Sequence, residues 1–274
     1  MWKKLFTKAT LVRTLSGILL VIIAIITLIT GGDILFFTIA AISLIGMTEL
    51  YHVLDIQKKP LGITGYLAGI AYYTTLYFQK EEYQMLIFIA FLIAIMGIYV
   101  FSFPKYRAEQ VMLVFFGFFY VAVMLSFVYQ IRLLEEGIFL VWMVFISSWI
   151  CDTFAYLTGV MFGKRKLAPK LSPKKSIEGS VGGIAASVII GAIYGFILKE
   201  HIQLSFENPV LGCAIVCGVG SIISQIGDLA ASGIKRDHEI KDYGKLIPGH
   251  GGILDRFDSV IFVAPAIYFL CMFI

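Results

Sequence analysis

The chain has 274 residues, of which 59% are apolar or aromatic and only 15% are charged, with a mean hydropathy of +0.89. Soluble globular domains contain roughly 25% charged residues, so this composition excludes a soluble domain, a disordered chain and a disulfide scaffold. The class that these figures leave is a polytopic membrane protein. Its formal net charge of +4 is small, and in such a protein the position of each charge matters more than the sum.

Nine stretches of the sequence are long and apolar enough to cross a bilayer as helices, each of which needs about 20 residues. In chain order they cover residues 14–31, 34–54, 61–78, 84–103, 110–130, 137–162, 179–198, 209–233 and 257–274. No A-x-A cleavage site follows the first stretch, which favours an uncleaved helix over a signal peptide. We therefore expect an all-α polytopic membrane protein with about nine transmembrane helices, forming a single integral membrane domain over residues 1–274.

The basic residues fall almost entirely on one side of this predicted arrangement. Of the 22 Lys and Arg residues, 19 lie in segments on the same side as the N-terminus, including Lys3 and Lys4. The opposite side has Lys80, Arg132 and Lys199. Because cytoplasmic segments are enriched in Lys and Arg, the N-terminus is predicted to be cytoplasmic, and nine spans then place the C-terminus outside.

The seventh stretch carries small residues at every fourth position: Gly179, Gly183, Ser187, Gly191 and Gly195. That spacing places them along one helix face, where another helix backbone can approach closely. Packing against helices of the same chain and a contact between two copies of the chain both fit this pattern. The cysteines also lie in apolar stretches and form no CxxC pair, which predicts small buried side chains.

Acidic side chains inside a membrane are costly, so those within the apolar stretches are candidates for function. Glu49 lies late in the second stretch, and we expect its carboxylate to extend into the headgroup region without a functional role. Asp152 lies near the cytoplasmic end of the sixth stretch, directly before a loop, 163–178, that contains six basic residues and two prolines. A stiff basic loop beside an embedded carboxylate favours a phosphate-handling site over a lipid-headgroup anchor alone.

A second polar cluster is predicted at the end of the eighth stretch. Four polar residues there are spaced to share one helix face: Ser224, Asp228, Ser232 and Lys235. After the next loop, the sequence HGGILDRFD places Asp255 and Asp258 three positions apart on the predicted start of the last helix. Carboxylates that leave room for substrate phosphates suit Mg²⁺. The sequence therefore predicts that Asp228, Asp255 and Asp258 converge near the cytoplasmic face.

A longer pattern of constrained positions lies between residues 232 and 258. Its positions are Ser232, Lys235, Arg236, Lys241, Asp242, Gly244, Pro248, His250, Gly251, Gly252, Asp255, Arg256 and Asp258. At each of them the chain resembles the signature of the phosphatidate cytidylyltransferase (CDP-diacylglycerol synthase) family. The stretch from Asp152 through SPKKSIEG to Gly183 is similar to a second block of that family.

This resemblance implies an enzyme that condenses CTP with phosphatidic acid, giving CDP-diacylglycerol and pyrophosphate. It also implies Mg²⁺ dependence, with K⁺ as a candidate second cation, and a homodimer. The metal ligands carried over from the family are Asp228, Asp255 and Asp258, which form the predicted catalytic set together with Lys235 and Arg236. The predicted substrate-binding residues are Asp152, Lys174, Lys175, Ser232, Lys241, His250, Gly251, Gly252 and Arg256.

The same resemblance assigns the parts of the chain to different tasks. Residues 1–136 are expected to form N-terminal helices, and residues 137–274 to form the catalytic helices with two cytoplasmic loops, 163–178 and 234–256. The protein would be integral to a prokaryotic cell membrane, with its active site on the cytoplasmic side. CTP, phosphatidic acid and the lipid bilayer are the expected partners, and no nucleic acid is expected among them.

Two other kinds of function fit parts of the pattern. One is a different CTP-dependent membrane lipid enzyme, such as a polyprenol kinase or an archaeal-lipid cytidylyltransferase. The other is an anion transporter, which predicts acidic residues near the bilayer centre and inverted repeats. In this sequence the acidic residues cluster near one face without a visible repeat, and the full signature favours the diacyl lipid substrate.

Overall fold

The computed structural model describes residues 8–201 and 208–273, and these residues are mostly helical. The α-helices within these ranges are α1 Lys8–Thr30, α2 Gly32–His52, α3 Pro60–Tyr77, α4 Gln84–Phe101, α5 Ala108–Gly117, α6 Met124–Leu133, α7 Gly137–Phe145, α8 Cys151–Phe162, α9 Ile177–Ile197, α10 Pro209–Asp237 and α11 Leu254–Phe273. Two π-helical segments, Phe118–Val123 and Ile146–Ile150, join α5 to α6 and α7 to α8, and a 3-10 turn, Glu81–Tyr83, precedes α4. Lys3 and Lys4, which contribute to the predicted charge pattern, lie outside the described residues.

Each of the nine predicted apolar stretches coincides with one helix or with two helices joined by a π-helical segment. Within the described ranges, six helical segments are long and apolar enough to cross a membrane: Gly32–His52, Glu81–Phe101, Ala108–Leu133, Gly137–Phe162, Ile177–Ile197 and Pro209–Asp237. The prediction of a mostly helical, polytopic membrane protein is confirmed. The finer count of nine spans stays a prediction.

The described residues form two compact units. Unit 1 comprises the described residues up to Ser126 together with Asp242–Arg256. Unit 2 comprises the described residues of Phe127–Lys241 and of Phe257–Ile274. The expected single integral membrane domain, with its division at residue 136, stays a prediction.

In unit 1, tyrosine hydroxyls bond to backbone carbonyls at and just before the first π-helical segment. Tyr51 donates to the carbonyl oxygen of Val114 at 2.8 Å, and Tyr73 donates to that of Ala122 at 3.1 Å. A π-helical turn departs from the regular α-helical bonding pattern, and buried carbonyl groups need a donor from elsewhere. These two bonds fix α2 and α3 against this segment.

In unit 2, the small residues of α9 pack against α8 and α10. A Cβ atom added at Gly183 would lie 2.7 Å from the carbonyl oxygen of Cys151 in α8. One added at Gly191 would lie 2.8 Å from the carbonyl oxygen of Cys213 in α10. Such short distances leave no room for a side chain, so the small residues allow close packing of helices within one chain. Of the two interpretations of this strip, packing within the same chain is confirmed.

The basic loop 163–178 contains a short antiparallel hairpin in unit 2. Strand β1, Lys166–Ala168, pairs with β2, Ser172–Ser176, with Lys166 opposite Ser176 and Ala168 opposite Ser172. The hydroxyl oxygen of Ser176 then accepts a hydrogen bond from the amide of Gly179 at 3.1 Å, which caps the start of α9. The connection is non-helical as predicted, but the all-α prediction omitted this two-stranded sheet.

Candidate functional site

A cavity of about 500 Å³ lies in unit 2, with walls from α8, the hairpin, α9 and α10. Its basic side chains come from the hairpin: Lys166, Lys174 and Lys175. Asp152 on α8 and Asp228 on α10 supply the carboxylates, and Tyr156 and Val160 add apolar surface from α8. The cavity therefore combines positive charge, negative charge and apolar surface within one unit.

Asp228 and Lys175 form an ion pair in the wall of this cavity. Their side chains are 23% and 25% exposed, so the pair is more shielded from water than a surface ion pair. The sequence predicted both residues as site residues, and the structure brings them into direct contact. The ammonium group of Lys175 neutralises Asp228 here and is also the kind of group that binds a phosphate.

In unit 2, the carboxylate of Asp258 interacts electrostatically with that of Asp228. Only 8% of the surface of Asp258 is exposed. Helices α10 and α11 approach closely at this point because residue 227 is glycine. A Cβ atom added at Gly227 would lie 3.0 Å from the carbonyl oxygen of Asp258. Asp152 and Lys235 also interact electrostatically with Asp258. Three helices thus bring an acidic cluster together, and Lys235 offsets part of its charge.

Asp228 and Asp258 supply carboxylate oxygens, the ligand type that Mg²⁺ prefers. Mg²⁺ in enzymes is usually held by one or two carboxylates, with water and substrate phosphates at the remaining positions. In the part of the chain that the structure describes, no three His, Cys, Asp or Glu side chains are grouped to hold a metal ion. These side chains alone therefore do not form a complete metal site, and the Mg²⁺ dependence stays a prediction. The role of Asp255 as a third ligand stays a prediction.

Helix α10 ends at Asp237, so the predicted catalytic residues Lys235 and Arg236 lie in its last turn and not in a loop. The Nε atom of Arg236 donates to the carbonyl oxygen of Leu171 in the hairpin at 3.4 Å. This bond ties the hairpin to the end of α10. The predicted boundary of the loop 234–256 was therefore a few residues too early.

Two of the cavity-wall residues that were not predicted as site residues, Ser180 and Gln225, bond to each other. Ser180 donates from its hydroxyl to Oε1 of Gln225, and Nε2 of Gln225 donates to the carbonyl oxygen of Ser180 at 3.1 Å. A glutamine three positions before Asp228 in an apolar helix was the available signal, because buried amides require partners. The pair joins α9 to α10 beside the ion pair.

In unit 1, the glycine-rich part of the signature forms a tight turn. The amide of Ile247 donates to the carbonyl oxygen of Gly251 at 2.9 Å. Gly249 and Gly251 have φ angles of 78° and 87°, a conformation that glycine adopts without a steric cost. Nδ1 of His250 shares a hydrogen bond of 2.9 Å with the hydroxyl of Ser16 in α1. His250, which was predicted to bind substrate, thus also anchors this turn to α1.

Asp255 organises the same loop through backbone hydrogen bonds. Its Oδ2 atom accepts from the amide of Tyr243 at 2.8 Å and from the amide of Gly252 at 3.0 Å, and the residue is 6% exposed. One carboxylate oxygen therefore joins the two ends of the segment between residues 243 and 252. The sequence predicted Asp255 as a site residue without indicating this contribution.

Glu49, which was expected to have no role, is buried in unit 1. It lies against residues 242–253, which precede α11 and which we call the signature loop. It is 9% exposed, its Oε1 accepts from the amide of Ile253 at 3.0 Å, and its Oε2 accepts from the amide of Leu254 at 2.8 Å. The expectation that this carboxylate extends into the headgroup region is wrong. The two amides lie more than 200 residues further along the chain, so no local pattern indicates the contact.

The remaining predicted substrate-binding residues differ in burial. Lys241 is exposed and Ser232 is partly exposed, both in unit 2. In unit 1, the Nε atom of Arg256 is buried without a hydrogen-bond partner among the described residues. Because leaving a buried N–H group unpaired is costly, Arg256 is a candidate for binding an anionic group.

Known proteins are similar to this chain over nearly its whole length. Residues 11–274 match the sequence profile described as the cytidylyltransferase family. The chain is 32% identical over 267 residues to a phosphatidate cytidylyltransferase of Staphylococcus aureus strain COL, covering 94% of this chain and 98% of that protein. The proteins of that name from Staphylococcus saprophyticus and from Staphylococcus epidermidis strain RP62A are 32% and 33% identical over 264 residues, with the same coverage.

Proposed function

Because the chain belongs to the cytidylyltransferase family, we propose that it transfers the cytidylyl group of CTP to phosphatidic acid, giving CDP-diacylglycerol and pyrophosphate. The relatives that match 94% of the chain carry the name of this activity. The observation that carries the proposal is the ion pair of Lys175 and Asp228 in the wall of the unit 2 cavity. It combines a phosphate-binding cation with a metal-binding carboxylate beside apolar surface suited to a lipid.

The cavity in unit 2 suits the headgroup of phosphatidic acid. Lys174 and Lys175 offer two ammonium groups to its phosphate, and Tyr156 and Val160 offer apolar surface to the adjoining glycerol and acyl groups. Tyr156 and Val160 are 71% and 69% exposed, so their side of α8 is open to the lipid bilayer in a membrane protein. The lipid can therefore present its phosphate to the lysines without leaving the membrane entirely.

The reaction forms one bond and breaks one. An oxygen of the phosphatidic acid phosphate attacks the α-phosphorus of CTP, and the bond from that phosphorus to the bridging β-oxygen breaks, so pyrophosphate takes the electron pair. Such transfers depend mainly on positioning and on neutralising charge. Four basic residues of the signature are candidates for binding the phosphate groups of CTP or the lipid headgroup: Lys235, Arg236, Lys241 and Arg256. When bound to Asp228 and Asp258, Mg²⁺ supplies positive charge to phosphate oxygens.

The remaining expectations are part of the same proposal. The N-terminus is cytoplasmic, the C-terminus is outside, and the active site faces the cytoplasm of a prokaryotic cell, which supplies CTP. The distribution of 19 of 22 basic residues on one side supports this orientation. Asp255 as a third metal ligand, K⁺ as a second cation and a homodimer rest on the resemblance of the signature to the family.

The proposal is tested by supplying the purified protein in detergent with labelled CTP, phosphatidic acid and Mg²⁺. We expect CDP-diacylglycerol and pyrophosphate in equal amounts, and no product when a polyprenol phosphate replaces phosphatidic acid. In sealed vesicles, CTP added outside should react only where the cytoplasmic face points outward. Wild-type protein without product over a range of cations would refute the activity, and product from right-side-out vesicles would refute the orientation.

Replacing Lys175 by glutamine should weaken the use of phosphatidic acid. The variant loses the ammonium group that faces Asp228, and a hydrogen bond to a charged group contributes about 1.5–3 kcal/mol. We therefore expect the KM for phosphatidic acid to rise about 10-fold or more, measured at saturating CTP.

The matched control is Lys170→Gln. Lys170 belongs to the same hairpin loop, is exposed and does not line the cavity, so its KM for phosphatidic acid should equal that of the wild type. An unchanged KM in the Lys175 variant would remove this residue from the lipid site.

A further inference from the structure

We infer that Glu49 is a positioning residue, which holds the backbone of the signature loop and the start of α11 in their working conformation. This inference depends on the proposed function only for its activity measurement. The carboxylate accepts from two consecutive amides, those of Ile253 and Leu254, with one oxygen each. Leu254 is the first residue of α11, and the first amides of a helix have no partner within the helix.

The loop is shaped to receive this carboxylate. A Cβ atom added at Gly244 would lie 2.3 Å from Oε1 of Glu49, and one added at Gly252 would lie 2.4 Å from Oε2. Both glycines therefore leave space that the Glu49 side chain fills. Neither has a positive φ angle, so backbone conformation alone does not require glycine at these positions.

Glu49 and Asp255 hold the same short segment from two directions. Gly252 donates its amide to Asp255, while its Cα side packs against Glu49. The next two amides bond to Glu49. Consecutive backbone groups are thus fixed by two buried carboxylates. A displacement of about 1 Å at a reacting group can cost about 100-fold in rate, so this fixation matters for Asp255.

A merely stabilising role and a positioning role predict different results. Burying a carboxylate in a membrane-spanning helix is costly, and a residue that served stability alone would be replaced by an apolar side chain with little loss of rate. The carboxylate of Glu49 instead accepts from the amides of Ile253 and Leu254, which are far from its own helix in the chain. We therefore expect kcat to fall while KM for CTP changes little, and we expect Glu49→Gln, which keeps an acceptor oxygen, to unfold at a temperature close to that of the wild type.

The experiment compares Glu49→Gln and Glu49→Ala with Ser43→Ala, all in the full chain in detergent. Ser43 is a buried polar residue of the same helix, and it bonds to the hydroxyl of Tyr73 at 2.7 Å, away from the loop. Hydrogen exchange of the backbone amides over residues 243–254 should be at least about 10-fold faster in the Glu49 variants, with kcat about 10- to 100-fold lower. Ser43→Ala should leave both quantities unchanged.

A double-mutant cycle gives the decisive measurement. Gly244→Ala should lower kcat about 10-fold in the wild type, because the new methyl group overlaps the Glu49 carboxylate. In the Glu49→Ala background, the same change should cost less than 2-fold, since the overlapping atoms are gone. Equal costs in both backgrounds would overturn the inference, and so would wild-type exchange rates in the Glu49 variants. The exchange measurement does not use activity, so its failure is distinct from a failure of the proposed function.

Discussion

Replacement of Asp258 by asparagine should reduce the formation of CDP-diacylglycerol by a factor on the order of 100 to 1,000, because the variant loses a carboxylate proposed to hold the Mg²⁺ ion that would neutralise the phosphates. Asp258 is buried and interacts with Asp228 at a point where α10 and α11 pack closely. The asparagine side chain keeps the size and removes the charge, so the variant should fold normally. Asp228→Asn should give a similar loss. The quantity to measure is kcat at saturating CTP and phosphatidic acid.

The control for both variants is Asp237→Asn. Asp237 is the last residue of α10, is exposed and lies outside the cavity wall, so kcat should stay within 2-fold of the wild type. Binding of Mn²⁺, followed by its electron spin resonance signal in the presence of CTP, supplies a readout independent of turnover. Retention of full activity and of Mn²⁺ binding in either cavity variant would show that the metal assignment is wrong.

Introducing leucine at Gly191 should prevent stable folding of unit 2. A Cβ atom at this position already lies 2.7 Å from the Cβ atom of Cys217 and 2.8 Å from the carbonyl oxygen of Cys213. Leucine adds three further carbon atoms where α9 and α10 touch, and overpacking of this kind costs about 3 kcal/mol or more. The unfolding temperature in detergent, followed by circular dichroism, should fall sharply, and little folded protein should be recovered.

A leucine at an exposed position of the same helix separates the effect of packing from that of helix propensity. Val181 of α9 is 61% exposed, so Val181→Leu should leave the unfolding temperature nearly unchanged. If Gly191→Leu were tolerated as well as Val181→Leu, the close packing of α9 against α10 would be refuted. A change of oligomeric state with unchanged stability would instead favour the contact between two copies.

The helices could be predicted from the sequence because their signal is local and long. Every apolar stretch of about 20 residues became helical, as expected for segments that must satisfy their own backbone groups in a membrane. The hairpin was not predicted, since its strands of three and five residues contain polar side chains and a proline and have no hydrophobic alternation. The prolines correctly indicated a connection without a helix, and the pairing of its two strands was not indicated.

The site residues were predictable as residue types but not as contacts. Helical spacing indicated Asp228 and Asp258 as candidates, and the basic loop indicated Lys175. The pairing of Asp228 with Lys175 joins α10 to a strand 53 residues earlier, which no local pattern indicates. Glu49 was misinterpreted for the same reason. Its sequence neighbours suggest a residue at the end of a membrane span, and the amides that it binds belong to the far end of the chain.

The glycine strip of α9 also affects the width of the cavity in unit 2. A Cβ atom added at Gly179 would lie 3.1 Å from the Cα atom of Gly159, which itself lines the cavity on α8, while Gly191 sets the distance to α10. Because these positions of α9 carry no side chain, α8 and α10 pack directly against its backbone. In the proposed function, the space for the lipid headgroup therefore depends on positions outside the cavity wall. We expect substitutions in the glycine strip to change the size of the accepted substrate while every charged residue stays in place.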